Sequence, residues 1–114
     1  MSRTVLIVDD DPPVLEVTAA MLEDLGCEVV TARSGGEALA TLSGDQRIEV
    51  LITDLNMPEM DGYELADRAA RLRPDLRILL LSGGETDGHG LPLLRKPFLE
   101  EDLARTMSQT TGLC

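Results

Sequence analysis

EVLITDLNMPEMDG, residues Glu49 to Gly62, opens as a short apolar run and closes as a turn. Val50, Leu51 and Ile52 suit a strand buried on both faces, the kind found in parallel sheets. Asp54 stands where the run gives out, followed by the turn-forming Asn56, Pro58, Asp61 and Gly62. An acid at the carboxyl end of a buried parallel strand sits where open α/β sheets bind their ligands. A lone Asp in such a place usually just starts a loop, so the reading of Asp54 depends on the rest of the chain.

Upstream, Thr4 to Val8 (TVLIV) is a second continuous apolar run, and it ends in Asp9-Asp10-Asp11 and then Pro12-Pro13. Asp11 is placed to cap a helix whose first turn takes the prolines. Val14, Thr18, Met21, Leu22 and Leu25 recur at helical spacing, and Gly26 is a C-terminal stop. Cys27 to Ala32 is a short strand, and Ser34 reads as the N-cap of a helix over Gly36 to Leu42. After the Asp54 loop comes a helix over Tyr63 to Leu72, with Leu65, Ala66, Ala69 and Leu72 on its buried face. Arg77 to Leu81 is a fourth strand closing on Ser82, and Leu93 to Arg95 a fifth, leading into Lys96-Pro97-Phe98. Leu99, Leu103 and Met107 mark the last helix, and Thr110 to Cys114 reads as a frayed tail. Strands alternating with helices at this spacing predict a single doubly wound α/β domain, residues 1–114, with helices on both faces of a parallel sheet.

Composition bounds the function. A chain of 114 residues with 43% apolar residues supports one core, and with 2% aromatics that core is aliphatic. The net charge of −11 argues against nucleic acid or an anionic membrane surface as a partner. No signal peptide or membrane span is visible, so the cytoplasm is the expected compartment. Cys27 and Cys114 are too few and too far apart for a disulfide framework or a metal quartet; Cys27 reads as a loop-edge residue and Cys114 as a terminal thiol. Nine of the ten basic residues are Arg, and Lys96 is the single lysine. An ammonium is a compact point charge and not a planar fork, so that position calls for one.

Four strand ends on one sheet edge carry polar groups: Asp9 and Asp10, Asp54, Ser82 and Lys96. If the first and third strands are neighbours, three carboxylates converge and repel. A divalent cation relieves that repulsion, and an all-oxygen donor set suits Mg²⁺ or Mn²⁺. Taken singly, the acids read as caps, Ser82 as a turn hydroxyl and Lys96 as a solvated cation. Their common placement after buried runs weighs against that.

VLIVDDDPP, LITDLNMPEMDG, LLLSGG and RKPF, in this order, together resemble the receiver domain of two-component response regulators, over nearly the whole chain. The resemblance implies a flavodoxin-like five-stranded sheet of order 2-1-3-4-5. It implies a phosphorelay role in bacterial signalling: Asp54 takes a phosphoryl group from the phosphohistidine of a sensor histidine kinase. Asp9, Asp10, Asp54 and the Asn56 carbonyl hold Mg²⁺, Ser82 bonds a phosphoryl oxygen, and Lys96 pairs with its charge. The chain is then no general enzyme but a switch that phosphorylates and dephosphorylates itself. The family's Lys-Pro bond is usually cis, which marks Lys96-Pro97 as a candidate.

Two departures from the family stand out. Ten residues, Gly83 to Pro92, connect the fourth and fifth strands, and four are Gly. At about 1 kcal/mol per helical Gly and about 3 for Pro, this region is expected to lose its helix or keep a single turn. The loss should uncover aliphatic surface by strands four and five, a face for a homodimer or a docked partner. The aromatic that family members carry three residues before the lysine is Leu93 here. His89 reads as exposed and incidental.

The chain starts at Met1 and ends just after its last helix, the pattern of a stand-alone regulator; a receiver cut from a hybrid histidine kinase is the near alternative. A haloacid dehalogenase-type phosphohydrolase, with Asp9 as nucleophile and Asp11 two residues on, is the rival from another class. It lacks a downstream acidic pair and leaves the Asp54 loop unexplained. A pseudo-receiver that is never phosphorylated is opposed by the complete residue set.

Overall fold

The computed structural model describes residues 3–84 and 88–111. Strands β1 (Thr4–Val8), β2 (Glu28–Ala32), β3 (Ile48–Asp54), β4 (Arg77–Ser82) and β5 (Leu93–Arg95) form one parallel sheet in the order β2-β1-β3-β4-β5. The three most apolar runs, β1, β3 and β4, take the centre and are buried almost throughout. The mixed sequences of β2 and β5 lie at the edges. Strand residues alternate between two aliphatic layers, as a pleated sheet requires. Leu6, Val8, Leu51 and Leu80 pack with α2 (Gly35–Gly44) and α3 (Gly62–Leu72). Val5, Ile7, Ile52, Leu79 and Leu81 pack with α1 (Pro12–Asp24) and α4 (Glu100–Thr111). Among the described residues no helix is long and apolar enough to cross a membrane.

Local chemistry sets the helix starts. Ser34 Oγ accepts from the Glu37 N–H at 3.1 Å to open α2, and Asp61 Oδ1 accepts from Glu64 N–H at 2.9 Å to open α3. Asp11 occupies the N-cap position of α1 but makes no side-chain cap. Its own N–H donates to Asp9 Oδ1 instead, at 3.0 Å. Leu72 is 45% exposed and not on the buried face of α3, which ends with it. Cys27 stands at the loop edge directly before β2, as expected, and is buried in the core. Helix α4 runs through Thr111, so the expected tail does not begin at Thr110, and residues 112–114, Cys114 among them, lie outside the described residues.

Between β4 and β5 the described residues form a 3₁₀ turn, Gly88–Gly90, in place of a full helix. Gly88, His89 and Gly90 all have positive φ, at 73°, 50° and 84°. For the non-glycine His89 this conformation costs about 1–2 kcal/mol. Its ring stacks on Tyr63 with centroids 3.7 Å apart and an interplanar angle of 13°. The ring contact opposes that cost, so His89 is not incidental. Nor is bare sheet left behind: Ile78 and Leu80 are buried at 7% and 0%, with Tyr63, Leu91 and Leu93 packed against their layer.

Gly62 opens α3 directly against the end of β3. A Cβ there would lie 2.5 Å from the Asp54 carbonyl oxygen and 2.8 Å from Leu55 Cα, both backbone atoms that cannot swing aside. A Cβ at Gly36, also helical, would meet nothing within 4 Å. Gly62→Ala is therefore expected to lower unfolding free energy by about 1–3 kcal/mol through overpacking. Gly36→Ala should raise it by about 0.4–1 kcal/mol by restricting the unfolded chain. Urea denaturation of both variants checks the pair, and equal effects would refute the contact argument.

Candidate functional site

Strand register brings the polar residues together. Val8 pairs with Thr53 and Asp54 with Leu81, so Asp9, Asp54 and Ser82 leave the sheet at the same edge. Asp9 and Asp54 are 1% and 7% exposed, whereas Asp10 faces solvent. One carboxylate oxygen from each of Asp9, Asp10 and Asp54 lies within 4.8 Å of the others. Asn56 is exposed on the loop beyond β3, two residues past the acid.

Lys96 enters from the end of β5, where its N–H donates to the Ser82 carbonyl at 2.7 Å. The Lys96-Pro97 peptide is cis. Its Nζ lies 3.1 Å from Asp9 Oδ2 and 3.3 Å from Asp54 Oδ1, bridging the two buried acids. Burial opposes the ammonium charge, but the hydrogen bond to Asp9 and the charges of Asp54 and Asp9 outweigh it, and the Lys96 pKa is raised. Asp54 fares differently. Burial pushes its pKa up, and the nearby Asp9 adds to this, against the pull of Lys96 and the Asn56 backbone N–H. For Asp54 burial outweighs the pull of Lys96, whereas for Lys96 two carboxylates outweigh burial.

Ser82 is 3% exposed, and its hydroxyl is committed to the loop beyond β4. Oγ donates to the Gly84 carbonyl and accepts from the Gly84 N–H, each at 3.1 Å. Donation to a group on Asp54 would have to replace the first of these bonds. The Gly84 carbonyl also accepts from an Arg95 guanidinium nitrogen at 3.3 Å.

The donor set fits a hard divalent cation. Three clustered carboxylates face one ammonium, and all the donors are oxygens, which suits Mg²⁺. Asp9, Asp10, Asp54 and the Asn56 carbonyl are the residues that would hold it.

The family profile described as "Response regulator receiver domain" matches residues 5–106. The chain belongs to this receiver family. The receiver protein CpdR of Brucella abortus is 31% identical over 115 residues, covering 94% of this chain and 95% of that protein. The chemotaxis protein CheY4 of Vibrio cholerae superposes with a TM-score of 0.89 at 32% identity, covering 96% of this chain and 99% of that one. The response regulator TrrA of Thermotoga maritima, solved in complex with Mg²⁺ and BeF, gives 0.85 at 26% identity over 94% and 97%. Two bacterial transcriptional regulators and a plant histidine kinase also match, and the chain spans 17%, 17% and 10% of their lengths. The receiver fold and the response-regulator class of this chain are thereby shown, and receivers bind Mg²⁺ at an acidic pocket of this kind.

Sequence reasoning overlooked three features beside the site. A groove of about 560 Å³, lined by Pro13, Val14, Val17, Met21, Pro97 and Phe98, opens next to Lys96. Helical spacing in α1 could have revealed Val17, which is 56% exposed. The other two are the bond from the Asp11 N–H to Asp9 and the pairing of Tyr63 with His89, which no linear pattern signals.

Because the Asp54 pKa is raised, the folded state binds more protons than the unfolded one between the two values, and stability falls as pH rises through that window. Asp54→Asn removes this penalty. With chelator present, the melting temperatures of the two proteins should nearly agree below pH 3.8, the ordinary aspartate value. The variant should become the more stable as pH rises toward neutrality. A gap that is constant with pH would show that Asp54 carries no such burden.

Proposed function

We propose that residues 1–114 act as a single phosphoacceptor domain in which Asp54 takes a phosphoryl group from a sensor histidine kinase. The reading rests on one observation above the others: the buried Asp54 carboxylate at the end of β3 shares Lys96 with Asp9, within reach of a third carboxylate. In the transfer, an Asp54 oxygen forms a bond to phosphorus as the bond from phosphorus to the donor imidazole nitrogen breaks. The freed imidazole takes a proton.

Charge spreads over the three equatorial oxygens as this happens, and catalysis is largely a matter of positioning and electrostatic stabilisation. Lys96 Nζ, 3.3 Å from the attacking carboxylate, is held to meet one of those oxygens. Ser82 Oγ meets another once it leaves Gly84. Asp9, Asp10, Asp54 and the Asn56 carbonyl would hold a divalent cation, Mg²⁺ or Mn²⁺, which would supply the remaining neutralisation. Water attacking the acyl phosphate reverses the modification, so the domain resets itself and needs no further catalytic activity.

The donor must approach from the open strand edge, and the apolar groove between α1 and Phe98 adjoins Lys96 there. Val17, 56% exposed, lines this groove. The groove supports docking of the kinase at this face and not across the β4–β5 face, where Ile78 and Leu80 are already covered.

Incubation with Mg²⁺ and phosphoramidate, a small donor with a phosphorus–nitrogen bond, should add the mass of one phosphoryl group. Asp54→Asn should abolish the gain, and Lys96→Ala should slow it by about 10²–10³-fold, the cost of removing an oxyanion donor. Label retained by Asp54→Asn would overturn the assignment. Label that needs Asp9 as acceptor would favour a phosphohydrolase.

A further inference from the structure

The part of a switch that matters to its partner is the part that moves away from the acid. Helix α3 begins in contact with that acid's own backbone. Its first residue, Gly62, has no room for a Cβ beside the Asp54 carbonyl and Leu55 Cα, and its N–H donates to the Leu55 carbonyl at 2.9 Å. Cores packed to this density transmit displacement and do not absorb it. The next residue, Tyr63, carries the ring stacked on His89. His89 sits at the middle of the turn that stands in for a helix, in a left-handed conformation between two glycines of the same hand.

That turn is tied to the sheet edge on its far side. The Leu91 N–H donates to the Gly88 carbonyl and the Leu80 N–H to the Pro92 carbonyl, both at 2.9 Å. A Cβ at Gly88 would sit 3.4 Å from Leu93 Cβ. A contiguous path thus runs from the Asp54 carbonyl through Gly62, Tyr63 and His89 to Leu91 and Leu93. A cleft of about 310 Å³ lies along it, lined by Tyr63, Ala66, Asp67, Ala70, Ile78, His89 and Leu91.

We propose that the Tyr63–His89 stack is a two-state latch that couples the state of Asp54 to the β4–β5 turn, with the cleft by Ala66 and Ile78 widening when the rings part. The inference rests on the phosphoacceptor reading and deepens it. Engagement of Asp54 and the Asn56 carbonyl shifts the backbone at the end of β3, Gly62 follows because it has no slack, and Tyr63 slides off His89. Relieved of its stacking partner, His89 leaves the left-handed region and the turn rearranges. Leu93 is aliphatic, so the rings that register the change are those on α3 and the turn, not one on β5.

The test uses the full chain, with Mg²⁺ and beryllofluoride as the probe, followed by NMR. Tyr63 is the only tyrosine and His89 the only histidine, so their ring resonances are identified without ambiguity. The amides of Leu55 and Asn56 report engagement of the acid, and those of Leu91 and Leu93 report the turn. The expected result is that the probe shifts all of these in the unaltered protein. In His89→Ala the Leu55 and Asn56 shifts persist while the Leu91 and Leu93 shifts are lost. Tyr63→Leu should behave alike; should it fail to fold, His89→Ala, at an exposed position, carries the test alone. Leu91 and Leu93 shifts of full size in His89→Ala would overturn the latch and leave the phosphoacceptor reading standing. No shift at Leu55 and Asn56 in the unaltered protein would overturn both.

Discussion

A single ammonium shared by two buried carboxylates is the constraint on which the site depends. Lys96 Nζ reaches both Asp9 and Asp54, so neither acid is fully neutralised, and the third acid, Asp10, has no share of it among the described contacts. Charges this close in a partly desolvated crevice interact far more strongly than they would in water. A site left in deficit of positive charge is not at rest. It favours a proton on Asp54 or a divalent cation among the three carboxylates.

The sheet exists, in functional terms, to hold those charges in place. Burying β1, β3 and β4 on both faces fixes their register, because a slip of one residue would turn every side chain to the wrong layer. That register sets Asp9 beside the end of β3 and Ser82 beside Asp54. Lys96 needs one further element: the short edge strand β5, pinned by a hydrogen bond from its own N–H to the Ser82 carbonyl. The ammonium of the site is therefore anchored by backbone to Ser82, at the end of the neighbouring strand.

Most of the fold and the gathering of Asp9, Asp10, Asp54 and Lys96 at one sheet edge were legible in the sequence, because both are written in short local signals. Continuous apolar runs name the central strands, and polar groups directly after them name the ligand edge. What stayed hidden depends on distance in space. Leu72 fits the helical spacing of α3, yet the helix ends there and the side chain faces outward at 45% exposure. Asp11 has the residue type of a cap, but Asp9 takes its N–H. The uncovered sheet expected beside β4 and β5 is closed by Tyr63 and Leu91, residues far apart in sequence. Reading the loss of a helix as the loss of cover ignored that the Tyr63 ring of α3 and a leucine of the glycine-rich segment can still meet on the same surface.

The same correction changes what a shortened β4–β5 connection means for signalling. A helix at that place would respond as a rigid body, through many packed side chains at once. The turn Gly88–Gly90 offers three residues of positive φ, of which His89 alone has a side chain to hold it there. An unfavourable backbone conformation opposed by contacts that include an aromatic stack from another element is a balance on which a population shift can act. Gly62 places the other ring of that contact one residue from the Asp54 backbone. A small displacement at the acid then acts on a balance instead of on a packed helix, and the reduced connection is the more easily switched of the two.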